Sequence, residues 1–205
     1  MTAYVVVDGP DGCGKSSQAA ALCTWLGERG RSVLHVREPG STPVGEALRQ
    51  LLLSPSTGEL GAITEALLFS AARGELVANV IAPALQRGTV VVAERCYLST
   101  IVYQSFAAEK GLDLDWLLDL TRRVHGACLP DAIFVLDVPA AVGRARRRAR
   151  AADRIEARGA GYHERVREGY LQAARLEVRA HVLDAARPFA AVQQQLRELV
   201  GRLLP

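Results

Sequence analysis

Residues 4–17 read YVVVDGPDGCGKSS, and the fold turns on how that stretch is parsed. Tyr4 to Val7 is a short apolar run suited to a buried strand, Gly9 to Gly14 is a glycine-bearing loop, and a helix opens at Lys15. Gly9, Gly14, Lys15 and Ser16 fit G-x-x-x-x-G-K-[ST]. In such a loop backbone N–H groups surround phosphates, the lysine reaches the β/γ oxygens and the hydroxyl ligates Mg²⁺. Glycine serves there because the turn needs positive φ and the backbone must come close to the anion. The helix behind the loop adds its N-terminal dipole and free N–H groups. The chain has only two lysines, Lys15 and Lys110, and otherwise uses arginine as its base. Nucleoside-triphosphate binding by Gly9, Pro10, Asp11, Gly12, Cys13, Gly14, Lys15, Ser16 and Ser17 follows. The acceptor does not, since such loops serve motors, switches and kinases alike.

The 205 residues, 49% hydrophobic, suffice for one substantial core and fall short of two ordinary domains, so one domain is expected. A net charge of +3 supplies no bulk drive toward nucleic acid; an anionic ligand must be met locally. Cys13, Cys23, Cys96 and Cys128 contain no C-x-x-C pair, which argues against a zinc site or a disulfide framework and suits a reducing cytoplasm. No basic leader precedes the first strand and no run of about 18 apolar residues stands out, so no membrane partner is expected.

Beyond the loop, Ala20, Leu22, Cys23 and Leu26 recur at helical spacing, Gly30 closes that helix, and Ser32 to Val36 reads as a strand. Strand, phosphate loop, helix and strand open a parallel α/β sheet whose ligands gather at the carboxyl ends of its strands. Arg37, Glu38, Pro39 and Gly40 stand at such an end, although taken alone they read better as a charged loop with a Pro-Gly turn. A short helix is expected over Pro43 to Leu53, with Arg49 on its polar side, and a mostly helical span over Ile63 to Gln86. Within it Phe69 and Arg73 lie four apart, on one face, where an aromatic plane and a guanidinium suit a planar base. Spacing alone favours the blander alternative, a core Phe beside an Arg reaching to solvent.

Thr89 to Ala93 is a second buried strand, delivering Glu94 and Arg95. Glu94 takes the place of a Walker-B acid that would share Mg²⁺ with Ser16, with a plain loop ion pair as its rival. Ser99, Thr100, Tyr103 and Gln104 follow as a donor-rich set for a sugar or phosphate. Further strands are expected over Ala132 to Asp137 and His181 to Leu183, with helices over Leu114 to Val124, from Pro139, from Tyr162 and over Val192 to Leu203. Seven arginines fall between Arg144 and Arg158. They read as a solvated face, a nucleic-acid patch, or a lid closing over phosphates and excluding water.

Six segments, in order, resemble bacterial thymidylate kinases. They are DGPDGCGKSSQ from Asp8, REPGSTPVGEALRQLLL from Arg37, LLFSAAR from Leu67, ERCYLSTIVYQ from Glu94, PDAIFVLDV from Pro130 and DRIE from Asp153. The resemblance implies an α/β P-loop nucleoside monophosphate kinase fold over residues 1–205, with about five parallel strands flanked by helices, a lid at about 144–160, and a homodimer. It also implies Mg²⁺-dependent transfer of the ATP γ-phosphoryl group to dTMP, giving dTDP and ADP. An acceptor phosphate is already anionic, so alignment and charge neutralisation suffice without a general base.

By that resemblance Lys15 and Ser16 serve ATP and Mg²⁺, Asp11 and Arg95 lie between donor and acceptor, and Glu94 replaces the usual aspartate. Phe69 would stack on thymine and Arg73 would bond its O4 edge. Arg37, Glu38, Pro39 and Arg49 would line the acceptor nucleotide, and Tyr103 would crowd a ribose 2′ position. Some members carry a P-loop arginine where this chain has Gly12 and Cys13, so Arg146, Arg147, Arg150 and Arg154 of the lid become the candidates for transition-state charge. Cys96, Glu75 and the glycine-poor Ser105 to Lys110 depart from the family pattern along with Glu94. They keep two alternatives open: a kinase of another deoxynucleoside monophosphate, or a catalytically weak regulator binding nucleotide or nucleic acid.

Overall fold

Val5 and Val7 point to one face of the first strand and Tyr4 and Val6 to the other, and all four are fully buried. A strand covered on both faces requires that pattern. The computed structural model describes residues 2–147 and 153–204, with Arg147 described by its backbone alone. Strands β1 (Tyr4–Asp8), β2 (Val33–Arg37), β3 (Val90–Glu94), β4 (Ala132–Asp137) and β5 (Ala180–Asp184) form one sheet in the order β2-β3-β1-β4-β5. Every pairing is parallel, as expected for an α/β chain. The order reverses at β1, which opens a crevice beyond its carboxyl end, where the glycine loop lies.

The helices are α1 (Lys15–Glu28), α2 (Pro43–Leu53), α3 (Ala62–Leu76), α4 (Ala82–Gln86), α5 (Tyr97–Ile101), α6 (Leu114–His125), α7 (Ala140–Arg147), α8 (Ala160–Leu176) and α9 (Phe189–Leu203). Leu22 and Leu26 of α1 and Val192, Leu196 and Val200 of α9 cover the sheet face that carries Val5, Val7, Val92 and Phe134. Leu76, Leu98, Leu117 and Tyr170, from α3, α5, α6 and α8, cover the face of Tyr4, Val6, Val91 and Ile133. Where observed elements depart from the expected ones they do so by a few residues at their ends, where helices fray and assignments shift.

Two π-helical turns were not legible beforehand. Val77–Ile81 joins α3 to α4 just ahead of Pro83, whose missing N–H leaves the helical ladder a donor short. Val102–Phe106 extends α5, and such turns recur at functional sites. The continuous run Ala62–Gln86 is also an exception to the expectation about membranes, because its 25 residues hold an 18-residue stretch of mean hydropathy 1.2, enough by length and composition to cross a bilayer. Its Glu65 and Arg73 are buried in ion pairs within the protein, to Arg154 at 2.7 Å and Glu38 at 2.6 Å. It is a core helix of this sheet.

His125 ends α6 on the same side. Its Nδ1 lies 3.0 Å from the Thr121 carbonyl oxygen, its ring meets Tyr97 edge-on, and its buried Nε2 has no partner. Burial, helped by the Arg73 charge, pushes its pKa down to about 4. The unfolded chain therefore binds this proton first, from about pH 6.5 downward, so stability is full above that value and falls as the pH drops toward 4. At about 1.4 kcal/mol per pH unit the loss approaches ~3 kcal/mol. Denaturant titrations of His125→Phe between pH 7 and 4 are expected to show a flatter stability profile than the unsubstituted protein.

Candidate active site

The loop between β1 and α1 is built from close approaches. Gly9 (φ 137°), Gly12 (φ 82°) and Gly14 (φ 99°) all take positive φ. A Cβ at Gly9 would sit 2.6 Å from the Leu136 carbonyl oxygen, and one at Gly12 would run into that of Gly143. Gly143 in turn faces the Asp11 carbonyl oxygen, so the loop and α7 meet backbone to backbone. An arginine at position 12 would have no room. Gly14 starts α1 with no side-chain cap and no acidic residue follows in the first turn, leaving those N–H groups for an anion. Lys15 is folded back, donating to the carbonyls of Gly9 (2.8 Å) and Pro10 (2.9 Å).

The carboxyl ends of β1 and β3 bring the charged groups together. Ser16 Oγ donates to Glu94 Oε2, while His35 Nε2 lies 3.0 Å from Glu94 Oε1. Burial raises the Glu94 carboxyl, but hydrogen bonds from His35 and Ser16 outweigh it and hold the group below the usual carboxylate range. Arg95 takes φ 71°, a left-handed conformation that costs a non-glycine residue about 1 kcal/mol. That turn aims its guanidinium back over the loop, where it bonds Asp11, Ser99 Oγ (3.2 Å) and Tyr170 OH (3.1 Å). Tyr103 OH donates to the other Asp11 oxygen at 3.2 Å. Beneath them the fully buried Asp8 accepts from Gly9 N, Ser99 Oγ and Tyr170 OH at 2.8–2.9 Å.

Asp11, Ser16, Glu94, Arg95, Ser99 and Tyr103 line one cavity of about 720 Å³, a size suited to small-molecule ligands. Its other end holds Phe69, Arg73, Thr100 and Gln104. Arg73 Nε donates to Glu38 at 2.6 Å and its Nη2 to Thr100 at 3.1 Å. Burial raises the Glu38 carboxyl and the Arg73 charge pulls it back, the net direction being upward. Glu38 Oε1 and Gln104 Oε1 are buried without a partner. Gln104 is oriented by its amide nitrogen, which donates to Glu65 at 2.9 Å. Along the connecting wall Arg49 Nη1 donates to the Pro39 carbonyl at 2.9 Å, and Arg37 forks onto Glu46 at 3.1 and 3.2 Å.

The sequence-expected residues thus converge on one cavity, with exceptions. Gly9, Pro10 and Cys13 form the back of the loop rather than its open face. Arg146 reaches the cavity and donates to the Ala185 carbonyl at 3.1 Å. Arg154 is turned from it, onto Glu65 and the Leu52 carbonyl oxygen (2.8 Å). Arg150 lies outside the described residues, as does the side chain of Arg147. Glu75 and Cys96 do not line the cavity; Cys96 is buried and donates its N–H to Asp8. Sequence reasoning missed Asp8 as a hub, Tyr170, and His35. Only His35 left a signal, two residues before Arg37 and hence on the same strand face. Glu38→Ala leaves Arg73, 3% exposed, as a buried charge without its carboxylate, and is expected to destabilise the fold by about 3–5 kcal/mol in equilibrium denaturation.

The chain is similar to known proteins over nearly its whole length. A family model described as thymidylate kinase matches residues 7–196. A thymidylate kinase of Symbiobacterium thermophilum is 43% identical over 206 residues, spanning 100% of this chain and 95% of the relative. Thymidylate kinases of Pseudomonas putida (42%, spanning 98% and 97%) and Thermomicrobium roseum (46%, spanning 92% and 89%) align comparably. With the match running over residues 7–196, from the glycine loop through the elements that frame the cavity, this chain belongs to the thymidylate kinase family.

Proposed function

We infer that this protein transfers the γ-phosphoryl group of ATP to dTMP, giving ADP and dTDP. The observation that carries the inference is the single cavity joining a phosphate loop to a pocket of one aromatic plane, one oriented guanidinium and one orphaned amide oxygen. ATP phosphates lie on the loop and the α1 N-terminus, and Lys15 exchanges its two carbonyl partners for phosphate oxygens. Ser16 and Glu94 offer hard oxygen donors, and among the described residues no cluster of three or more His, Cys, Asp or Glu side chains competes for a metal. That fits Mg²⁺, which needs one or two protein oxygens beside phosphate and water. When bound it would neutralise charge on the transferring phosphates.

On the acceptor side Phe69 stacks on the base. Arg73 directs Nη1, which makes no hydrogen bond among the described contacts, at O4, and Gln104 Oε1 accepts from N3–H. A cytosine would present an amino group to that guanidinium, donor facing donor. Arg37 and Arg49 take the acceptor phosphate, and Tyr103, packed beside Asp11, crowds a 2′-hydroxyl. Arg95, held by Asp11, Ser99 and Tyr170, sits between the two phosphates, so its orientation is fixed before substrate arrives. Arg146 at the cavity rim is the lid arginine supplying further charge, and residues 144–160 act as a lid on a single domain. A homodimer through the exposed Ile63 and Leu67 of α3 and a cytoplasmic setting for the free thiols complete the proposal.

Steady-state kinetics separate the roles. Lys15→Ala should lower kcat by about 100-fold or more. Arg73→Ala should raise KM for dTMP by about 10–100-fold, the worth of a charged hydrogen bond, while leaving KM for ATP nearly unchanged. Equal effects of Arg73→Ala on both substrates would contradict the base-reading role.

A further inference from the structure

His35 is not among the residues that line the cavity, yet its ring touches one that does. It lies on β2 two residues before Arg37, and Arg37 is the residue in register with Glu94 on β3. Residues two apart on a strand share a face, so His35 and Glu94 are diagonal cross-strand neighbours on the side covered by α1. Both oxygens of Glu94 are engaged, Oε2 by the Ser16 hydroxyl and Oε1 by His35 Nε2 at 3.0 Å. A carboxylate can only accept, so the imidazole nitrogen facing it donates.

A glutamate carries its carboxylate on one more rotatable bond than an aspartate, and can swing it across a wider arc. Beside a phosphate loop that freedom matters, because outer groups that fix a metal-binding carboxylate control how well it binds. We propose that His35 is a positioning residue of the metal site: its imidazole holds one oxygen of Glu94 so that the other stays on the Ser16 hydroxyl. The inference rests on Ser16 and Glu94 being the Mg²⁺ donors. An exposed histidine–carboxylate pair of purely structural value is the competing account. The side chain of His35 is 34% exposed and that of Glu94 16%, and pairs of that exposure contribute little to folding. The two accounts differ in what His35 controls. A surface pair moves stability slightly and metal not at all, whereas a positioning group moves metal affinity and leaves stability nearly alone.

The test measures ADP binding to the full-length protein by calorimetry, in EDTA and in excess Mn²⁺ as the metal probe, beside the thermal midpoint of each variant. In the unsubstituted protein Mn²⁺ is expected to tighten ADP binding. His35→Phe is expected to reduce that tightening by about tenfold, with metal-free ADP affinity and the thermal midpoint essentially unchanged. His35→Gln, which still presents an N–H donor, should keep most of it. Combining Glu94→Asp with His35→Phe should restore it, because the shorter side chain needs no second anchor. Full Mn²⁺ tightening in His35→Phe overturns the positioning role alone. No Mn²⁺ effect in the unsubstituted protein overturns the Ser16–Glu94 metal assignment and, with it, this inference.

Discussion

A carboxylate with no solvent exposure sits at the end of β1, and much of the site is arranged to satisfy it. A buried charge is tolerable only when its oxygens are hydrogen-bonded. Asp8 meets that condition by drawing in the first N–H of the glycine loop, the Ser99 hydroxyl of α5 and the Tyr170 hydroxyl of α8. Three elements remote in sequence are thereby pinned to one point. Arg95 lies 3.8 Å from the same carboxylate and bonds both hydroxyls, so its left-handed backbone and its aim over the loop are consequences of this hub. The Arg95 guanidinium inherits its position from a group that never reaches solvent.

The second constraint is steric. Gly12 and Gly143 meet without room for a Cβ, which couples the phosphate loop to α7, the helix that leads into the arginine-rich segment. The same contact leaves no room for a side chain at position 12 of the loop. Arg146, one helical turn beyond Gly143, is placed at the rim. At the opposite end Glu65 gathers Arg154, Arg158 and Gln104. One buried acid therefore orients the orphaned amide at the far end of the cavity and anchors Arg154 and Arg158, at the end of the arginine-rich segment.

The parallel sheet and the phosphate loop were legible because local chemistry dictates them: apolar β-branched strands, glycines at turns, one lysine where arginine is otherwise the rule. Phe69 and Arg73 were ambiguous from spacing, since a core Phe and a solvated Arg share that spacing. Arg73 proves buried because Glu38, 35 residues away, supplies its counter-charge. Asp8 and Tyr170, 162 residues apart, leave no sequence signal at all, because a hydrogen bond across a sheet is set by topology. The arginine segment was the least readable: identical side chains at short intervals carry no register, and only the fold separates Arg146 at the cavity from Arg154 on Glu65.

The central claim is that one cavity reads a pyrimidine with a bare O4 and N3–H and phosphorylates its 5′-phosphate. The most direct measurement is ADP formation from MgATP by the purified protein, with dTMP, dUMP, dCMP, dGMP and UMP offered in parallel. The account predicts turnover highest with dTMP, lower with UMP through crowding at Tyr103, and poor with dCMP, which sets a donor against Arg73. Turnover with dCMP or dGMP matching or exceeding that with dTMP would contradict it.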